Sequence, residues 1–177
     1  MNVKVKQAAG FLLSAAILIF LDQWTKSLAV RYLKGQPGRP IVDGVFELLY
    51  SENRGAAFSI LQGRQIFLFL ITAAVLLFVL YIFIKMPAGK RYWPLMACLI
   101  LLFSGAVGNM IDRLSQGYVV DFLYFSLINF PIFNVADIYV TGAAGLFLVL
   151  LLWYYKEEEL EVFSLSSRRH SGKGTES

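Results

Sequence analysis

The chain has 177 residues, 58% of them hydrophobic and only 16% charged, a balance that argues against a soluble globular domain of this size. The formal net charge of +4 lies beside apolar runs and not along one soluble face. That placement favours anionic lipid headgroups as partners and argues against nucleic acid. The single cysteine excludes a disulfide within the chain.

In chain order, Lys4 and Lys6 followed by Gly10 to Leu21 imitate a secretory signal peptide. No small-x-small cleavage site follows, and Asp22-Gln23-Trp24-Thr25-Lys26 comes directly after, so the segment is read as a retained first span, about 8–30. The loop after it runs from about Arg31 to Gln65, and Gly35, Pro37, Gly38 and Pro40 make its start irregular. Val45 to Tyr50 is rich in β-formers, and Phe58 to Leu61 is its expected antiparallel partner around Asn53-Arg54-Gly55. The second span, 66–84, has no charged residue and only Thr72 as a polar one. The third, 92–111, carries Cys98 among Met96, Ala97, Leu99 and Ile100, where an inert buried thiol is expected in place of a nucleophile. The fourth covers 134–155. Each span is about the length a helix needs to cross a roughly 30 Å hydrocarbon core. With no water to satisfy the backbone there, helices are the expected form. The prediction is one all-α membrane domain over 1–155, a bundle of four transmembrane helices with a small β-sheet in the first outer loop. From 156 to 177, Glu157-Glu158-Glu159 and Glu161 mixed with Ser, Gly and Arg predict a solvated, disordered extension without a chemical role.

Four spans put both termini on one side. Lys and Arg are nearly evenly divided between the two sides, but Lys85, Lys90 and Arg91 are concentrated in a short link, which places both termini in the cytoplasm. In that orientation Asp22, Asp112, Asp121 and Asp137 gather at the outer membrane face. An acid near the bilayer core costs on the order of 2.5 to 3.5 kcal/mol on insertion scales and marks a functional site.

The inventory narrows the chemistry. His170 is in the tail, so no Ser-His or Cys-His couple serves the bundle, and a zinc site, which draws on His or Cys, is poorly supported. A carboxylate pair suits peptide hydrolysis beside a membrane: two nearby acids share one proton, one activating water and the other donating to the scissile carbonyl. Asp121, among Tyr118-Val119-Val120 and Phe122-Leu123, and Asp137, at the entry to the last span, are the candidates. Structural roles compete with this reading. Asn134 with Asp137 fits a capping box, Asp112-Arg113 fits an ion pair at a helix end, and Asp22 and Lys26 are i, i+4 partners able to neutralise each other. Asn109 to Asp112 and Asn134 to Asp137 repeat Asn-x-x-Asp, an echo too short to build on. Three rival functions stand beside the carboxylate pair: a proton-coupled carrier, a Ser-Lys peptidase using Ser27, Ser51 or Ser59 near Lys26, and a non-enzymatic assembly subunit. Grouping of the acids at one face argues against the carrier.

Five blocks carry a resemblance: Asp22-Gln23-Trp24-Thr25-Lys26, Asn53-Arg54-Gly55-Ala56-Ala57-Phe58, Gly108-Asn109-Met110-Ile111-Asp112-Arg113, Val119-Val120-Asp121-Phe122 and Phe133-Asn134-Val135-Ala136-Asp137. Together, and in this order, they resemble the lipoprotein signal peptidases (signal peptidase II). The resemblance implies a globomycin-sensitive aspartic endopeptidase of the bacterial inner membrane. Such enzymes remove signal peptides from diacylglyceryl-modified prolipoproteins just before the lipidated cysteine. It implies Asp121 and Asp137 as the catalytic pair. Asn53, Gly55, Asn109, Asp112, Arg113, Asn134, Ala136, Asp22 and Lys26 would bind substrate or inhibitor or support the site. The implied fold is four transmembrane helices with an extracytoplasmic β-cradle. No metal or cofactor is implied; membrane lipids are the surroundings, and a monomer is expected.

Overall fold

The computed structural model describes residues 3–55 and 65–163. Four helices in it are long and apolar enough to cross a membrane: Val3–Leu33, Ile66–Lys85, Lys90–Gln116 and Val135–Tyr154. The regular elements are α1 (Val3–Leu33), β1 (Arg39–Val42), β2 (Phe46–Asn53), α2 (Gln65–Lys85), α3 (Trp93–Gln116), β3 (Val119–Tyr124), α4 (Val135–Val149) and a short α5 (Glu157–Leu160). The four-span architecture with a small sheet is therefore the observed fold.

The third helix is the spine: α1, α2 and α4 all pack on α3. The buried residues of α1, namely Phe11, Ala15, Asp22, Lys26, Ala29 and Leu33, form one stripe at helical spacing. Their polar members fall toward the same end as the sheet. Small residues let the helices close on each other. A Cβ on Gly105 of α3 would stand 2.5 Å from the Ala136 carbonyl oxygen and 2.7 Å from Val140 Cγ2, and one on Gly108 would stand 2.5 Å from Asp22 Oδ2. The helix α3 runs past the expected end at 111 to Gln116, because Asp112 faces inward and the chain turns only at Gly117, in the left-handed region at φ 77°. Likewise α1 is longer at both ends than the 8–30 expected.

The sheet differs from expectation in its partners. Strand β2 pairs antiparallel with β1 on one side and with β3 on the other, so the third loop contributes a strand that local sequence did not reveal. The expected partner, Phe58 to Leu61, lies outside the described residues. Alternation along β3 sorts its side chains: Val120 and Phe122 pack on Ala29 and Leu33 of α1, which leaves Val119 and Asp121 on the opposite face. The segment before α4 is tied to the same strand. Phe133 O accepts from Phe122 N and Leu123 N at 3.0 and 2.9 Å, and Phe133 N donates to Leu123 O at 3.0 Å. That tie sets Asn134, the next residue, beside Asp121.

At the far end, the chain beyond Tyr155 departs from the expected solvated extension over 157–163. Glu159 pairs with Arg91 (Oε1 to Nε, 2.7 Å), the Tyr81 hydroxyl donates to Phe163 O at 2.9 Å, and Leu160 and Phe163 pack on the apolar core. Charge composition hid these contacts because two apolar side chains suffice to fold one short turn back. Residues 164–177 lie outside the described residues.

Candidate active site

The site is built where β3, the cap of α4 and the sheet ends of α1 and α3 meet. Asn134 is the N-cap of α4: its side chain accepts from Asp137 N at 3.0 Å, and its own N–H donates to Asp137 Oδ2 at 3.2 Å, a complete capping box. The structural reading of Asn134 and Asp137 is thus present, and the rest of the geometry adds to it. Because Asn134 Oδ1 is committed to the helix, its Nδ2 faces outward, donating to Asp121 Oδ1 at 2.6 Å and to Asn109 Oδ1 at 3.1 Å. Asp121 Oδ2 accepts from Asn53 Nδ2 at 2.9 Å, and Asp137 Oδ1 accepts from Asn109 Nδ2 at 2.8 Å. Each carboxyl group therefore receives two N–H donors, and Asn134 touches both.

Both acids line one cavity of about 520 Å³. Asn53, Asn109, Arg113 and Thr141 supply its other polar side chains, and Phe130, Ile132, Ile138 and Val140 much of its apolar wall. Asp121 is 2% exposed. Burial first, and then the neighbouring Asp137, push its carboxyl up to about 7 from the usual 3.8. Arg113 sends one nitrogen to Gly55 O at 3.1 Å and another to Asn109 O at 3.4 Å, while its Nε is buried and meets no acceptor among the described residues. Gly55 N in turn donates to Asn53 Oδ1 at 2.9 Å, which orients the amide that faces Asp121.

Behind the cavity lies a buried ionic cluster. Lys26 Nζ meets Asp22 Oδ2 at 2.9 Å, Asp112 Oδ2 at 3.1 Å and Asn109 Oδ1 at 2.9 Å. An ammonium has three N–H donors, so none is left and no lone pair faces Ser27, whose hydroxyl donates to Trp24 O at 2.6 Å. The i, i+4 pairing of Asp22 with Lys26 is as expected. The expected Asp112–Arg113 pair is replaced: Asp112 faces Lys26 across the α1–α3 interface and accepts from Val120 N at 3.1 Å. Asp22 Oδ1 accepts from Ala136 N at 2.9 Å, satisfying one of the open N–H groups of the first turn of α4. Gln23 bridges Asp22, Gly108 O and Asp112 through Nε2. Gln23 lies inside a block singled out by sequence, yet its role needed the α1–α3 contact to be seen. The apolar wall carried no signal, since Phe130 to Val140 read only as a loop leading into a span.

The family described as signal peptidase (SPase) II matches residues 14–153. The chain belongs to that family. A lipoprotein signal peptidase of Brevibacillus brevis is 45% identical over 139 residues, covering 78% of this chain and 92% of that protein. One of Streptococcus thermophilus is 45% identical over 141 residues, covering 80% and 89%. Among solved structures, a bacterial membrane enzyme determined by the in meso method at 1.9 Å resolution superposes with a TM-score of 0.71 at 32% identity, covering 83% of this chain and 95% of the other. Membership in the signal peptidase II family makes this chain a multi-pass bacterial membrane peptidase that removes lipoprotein signal peptides.

Proposed function

We propose that the chain is an aspartic endopeptidase that cleaves diacylglyceryl-modified prolipoproteins before the lipidated cysteine, with Asp121 and Asp137 as the catalytic pair. The observation that carries the reading is the shared cavity: both carboxyl groups line it, and one residue, Asn134, donates to each, from its side chain to Asp121 and from its backbone N–H to Asp137. In the reaction, water lies between the two groups. Asp137, which accepts two N–H bonds at the N-terminus of α4, serves as the ionised base that takes the water proton. Asp121, whose raised proton affinity keeps it neutral up to about 7, donates to the scissile carbonyl oxygen as the tetrahedral intermediate forms. Asp137 then passes its proton to the leaving amide nitrogen, Asp121 takes back a proton from one hydroxyl of the intermediate, and the C–N bond breaks to release a carboxylic acid and an amine. Arg113, whose Nε meets no acceptor among the described residues, is placed to hold a substrate carbonyl, and Asn53 and Asn109 line the same cavity, with Gly55 bonded to Arg113 beside it. The aspartates and polar rim are also where globomycin-type peptides would compete.

The membrane supplies the substrate. A lipidated signal peptide is a membrane helix whose cleavage site lies at the outer boundary. The site sits at that boundary when both termini are cytoplasmic. No cofactor enters the mechanism, and one chain suffices as a monomer. The test is cleavage of a diacylglyceryl-modified precursor and its unmodified form by purified enzyme, with and without globomycin. Asp121→Asn and Asp137→Asn should each lower kcat by at least about a thousandfold while the protein stays folded and inserted. Near-native turnover by either variant would remove that residue from the chemistry.

A further inference from the structure

We infer that Lys26 is a positioning residue for the reaction: through Asn109 it dictates that Asp137 faces a hydrogen-bond donor. The inference rests on the catalytic roles proposed for Asp121 and Asp137. The two amides that touch the acids are oriented by different means. Asn134 is locked by the backbone, because its Oδ1 accepts from Asp137 N in the helix cap. Among the described residues, Asn109 has no such backbone tie on its side chain. Its Oδ1 meets Lys26 Nζ at 2.9 Å and Asn134 Nδ2 at 3.1 Å, and its Nδ2 meets Asp137 Oδ1 at 2.8 Å. Turning the amide over would set its N–H groups against an ammonium, which has only donors, and its oxygen against a carboxyl oxygen.

The consequence reaches the reacting atoms. With the ammonium in place, Asn109 offers Asp137 an N–H, which favours the ionised carboxylate needed to take a proton from water. Without it, Asn134 Nδ2 alone opposes the turning of the amide, and a turned amide accepts from a protonated Asp137, which is then useless as a base. The ammonium is itself held in place by Asp22, at 0% exposure, by Asp112 and by the absence of a side chain on Gly108. The charged groups around Asp137 are Lys26 and Asp22 from α1, Asp112 and Arg113 from α3 and Asp121 from β3. Among the described residues, Lys26 is the one of these charged groups that bonds to the side-chain amide of Asn109.

The experiment compares Lys26→Met with the native enzyme on the lipidated precursor across pH 5 to 9. Lys26→Met alone strands two buried carboxylates, so Lys26→Met/Asp112→Asn, which returns the cluster to its native net charge, is made alongside. The expected result for both is a fall in kcat of about tenfold or more below pH 7 that recovers as pH rises, with KM within about twofold. Infrared pH-difference spectra should show the protonated-carboxyl band that Asp137→Asn removes persisting to higher pH in both variants. A uniform loss at every pH, or profiles and spectra superimposable on native ones, would overturn the positioning role. Near-native cleavage by Asp137→Asn would instead overturn the catalytic reading beneath it.

Discussion

Asp121 occupies a strand position whose neighbours on either side, Val120 and Phe122, are pressed against α1, and its own buried side chain lines the cavity on the opposite face. Its carboxyl holds a proton up to about 7 in the folded protein, against about 3.8 once the chain is unfolded. Between those values the folded state binds more protons than the unfolded one, so stability falls as pH rises through the window. Each unit of it costs up to about 1.4 kcal/mol. Thermal unfolding in detergent should therefore give a lower Tm at pH 7 than at pH 5, and Asp121→Asn should reduce that difference. In the proposed mechanism the same proton is the one donated to the scissile carbonyl, so kcat/KM of the native enzyme should decline above about pH 7. A Tm that responds identically to pH in both proteins would detach the group from this titration. At this scale the sequence was partly legible. The spacing of Asp22 and Lys26 alone predicted their ion pair, and Asn134 with Asp137 announced a helix cap. Asp112 was assigned to the adjacent Arg113 because nothing local shows that α1 brings Lys26 across to it.

Among elements, α3 and α4 decide whether Asp137 meets its Asn109 donor, since one carries Asn109 and the other, capped by Asn134, carries Asp137 in its first turn. Their approach depends on Gly105, where a methyl group would stand 2.5 Å from a backbone oxygen of the first turn of α4. Backbone cannot move aside as a side-chain tip can, so Gly105→Ala must push the helices apart. A destabilisation of about 1 to 3 kcal/mol is expected, together with reduced cleavage as Asp137 moves away from Asp121. Gly145, on the same helix α4 but with open space where its Cβ would be, is the control. There alanine should be neutral or stabilising by up to about 1 kcal/mol, with cleavage unchanged. Paired melting curves and turnover numbers check both, and equal tolerance of the two substitutions would mean that close helix approach does not set the site. Helices of this kind are legible because an unbroken apolar run has few other fates in a bilayer. The sheet was only half legible. Val45 to Tyr50 reads as a strand from composition and overlaps the observed β2, Phe46–Asn53, but its partner β3 is far away in sequence, and strand pairing over such separations leaves no local periodicity to read.

Across the whole molecule the two ends of the bundle differ in kind. One end collects the sheet, the acids and the buried ionic cluster. The other collects Lys85, Arg91 and the turn at 157–163, where Arg91 lies over the Tyr154 ring at 3.9 Å and pairs with Glu159. The proposed function gives this polarity an expected direction, with the bond to be cut at the outer boundary and the basic links inside. Single-cysteine labelling reads that direction. In a Cys98→Ala background, Leu127, 68% exposed at the sheet end, and Lys90, at the opposite end before α3, are replaced in turn by cysteine. A membrane-impermeant maleimide added to intact cells should modify Leu127→Cys and reach Lys90→Cys only after permeabilisation. The reverse pattern would put the acids at the cytoplasmic face, where a translocated precursor does not present its cleavage site, and lateral delivery of the substrate to the cavity would have to be abandoned even with the carboxylate chemistry intact.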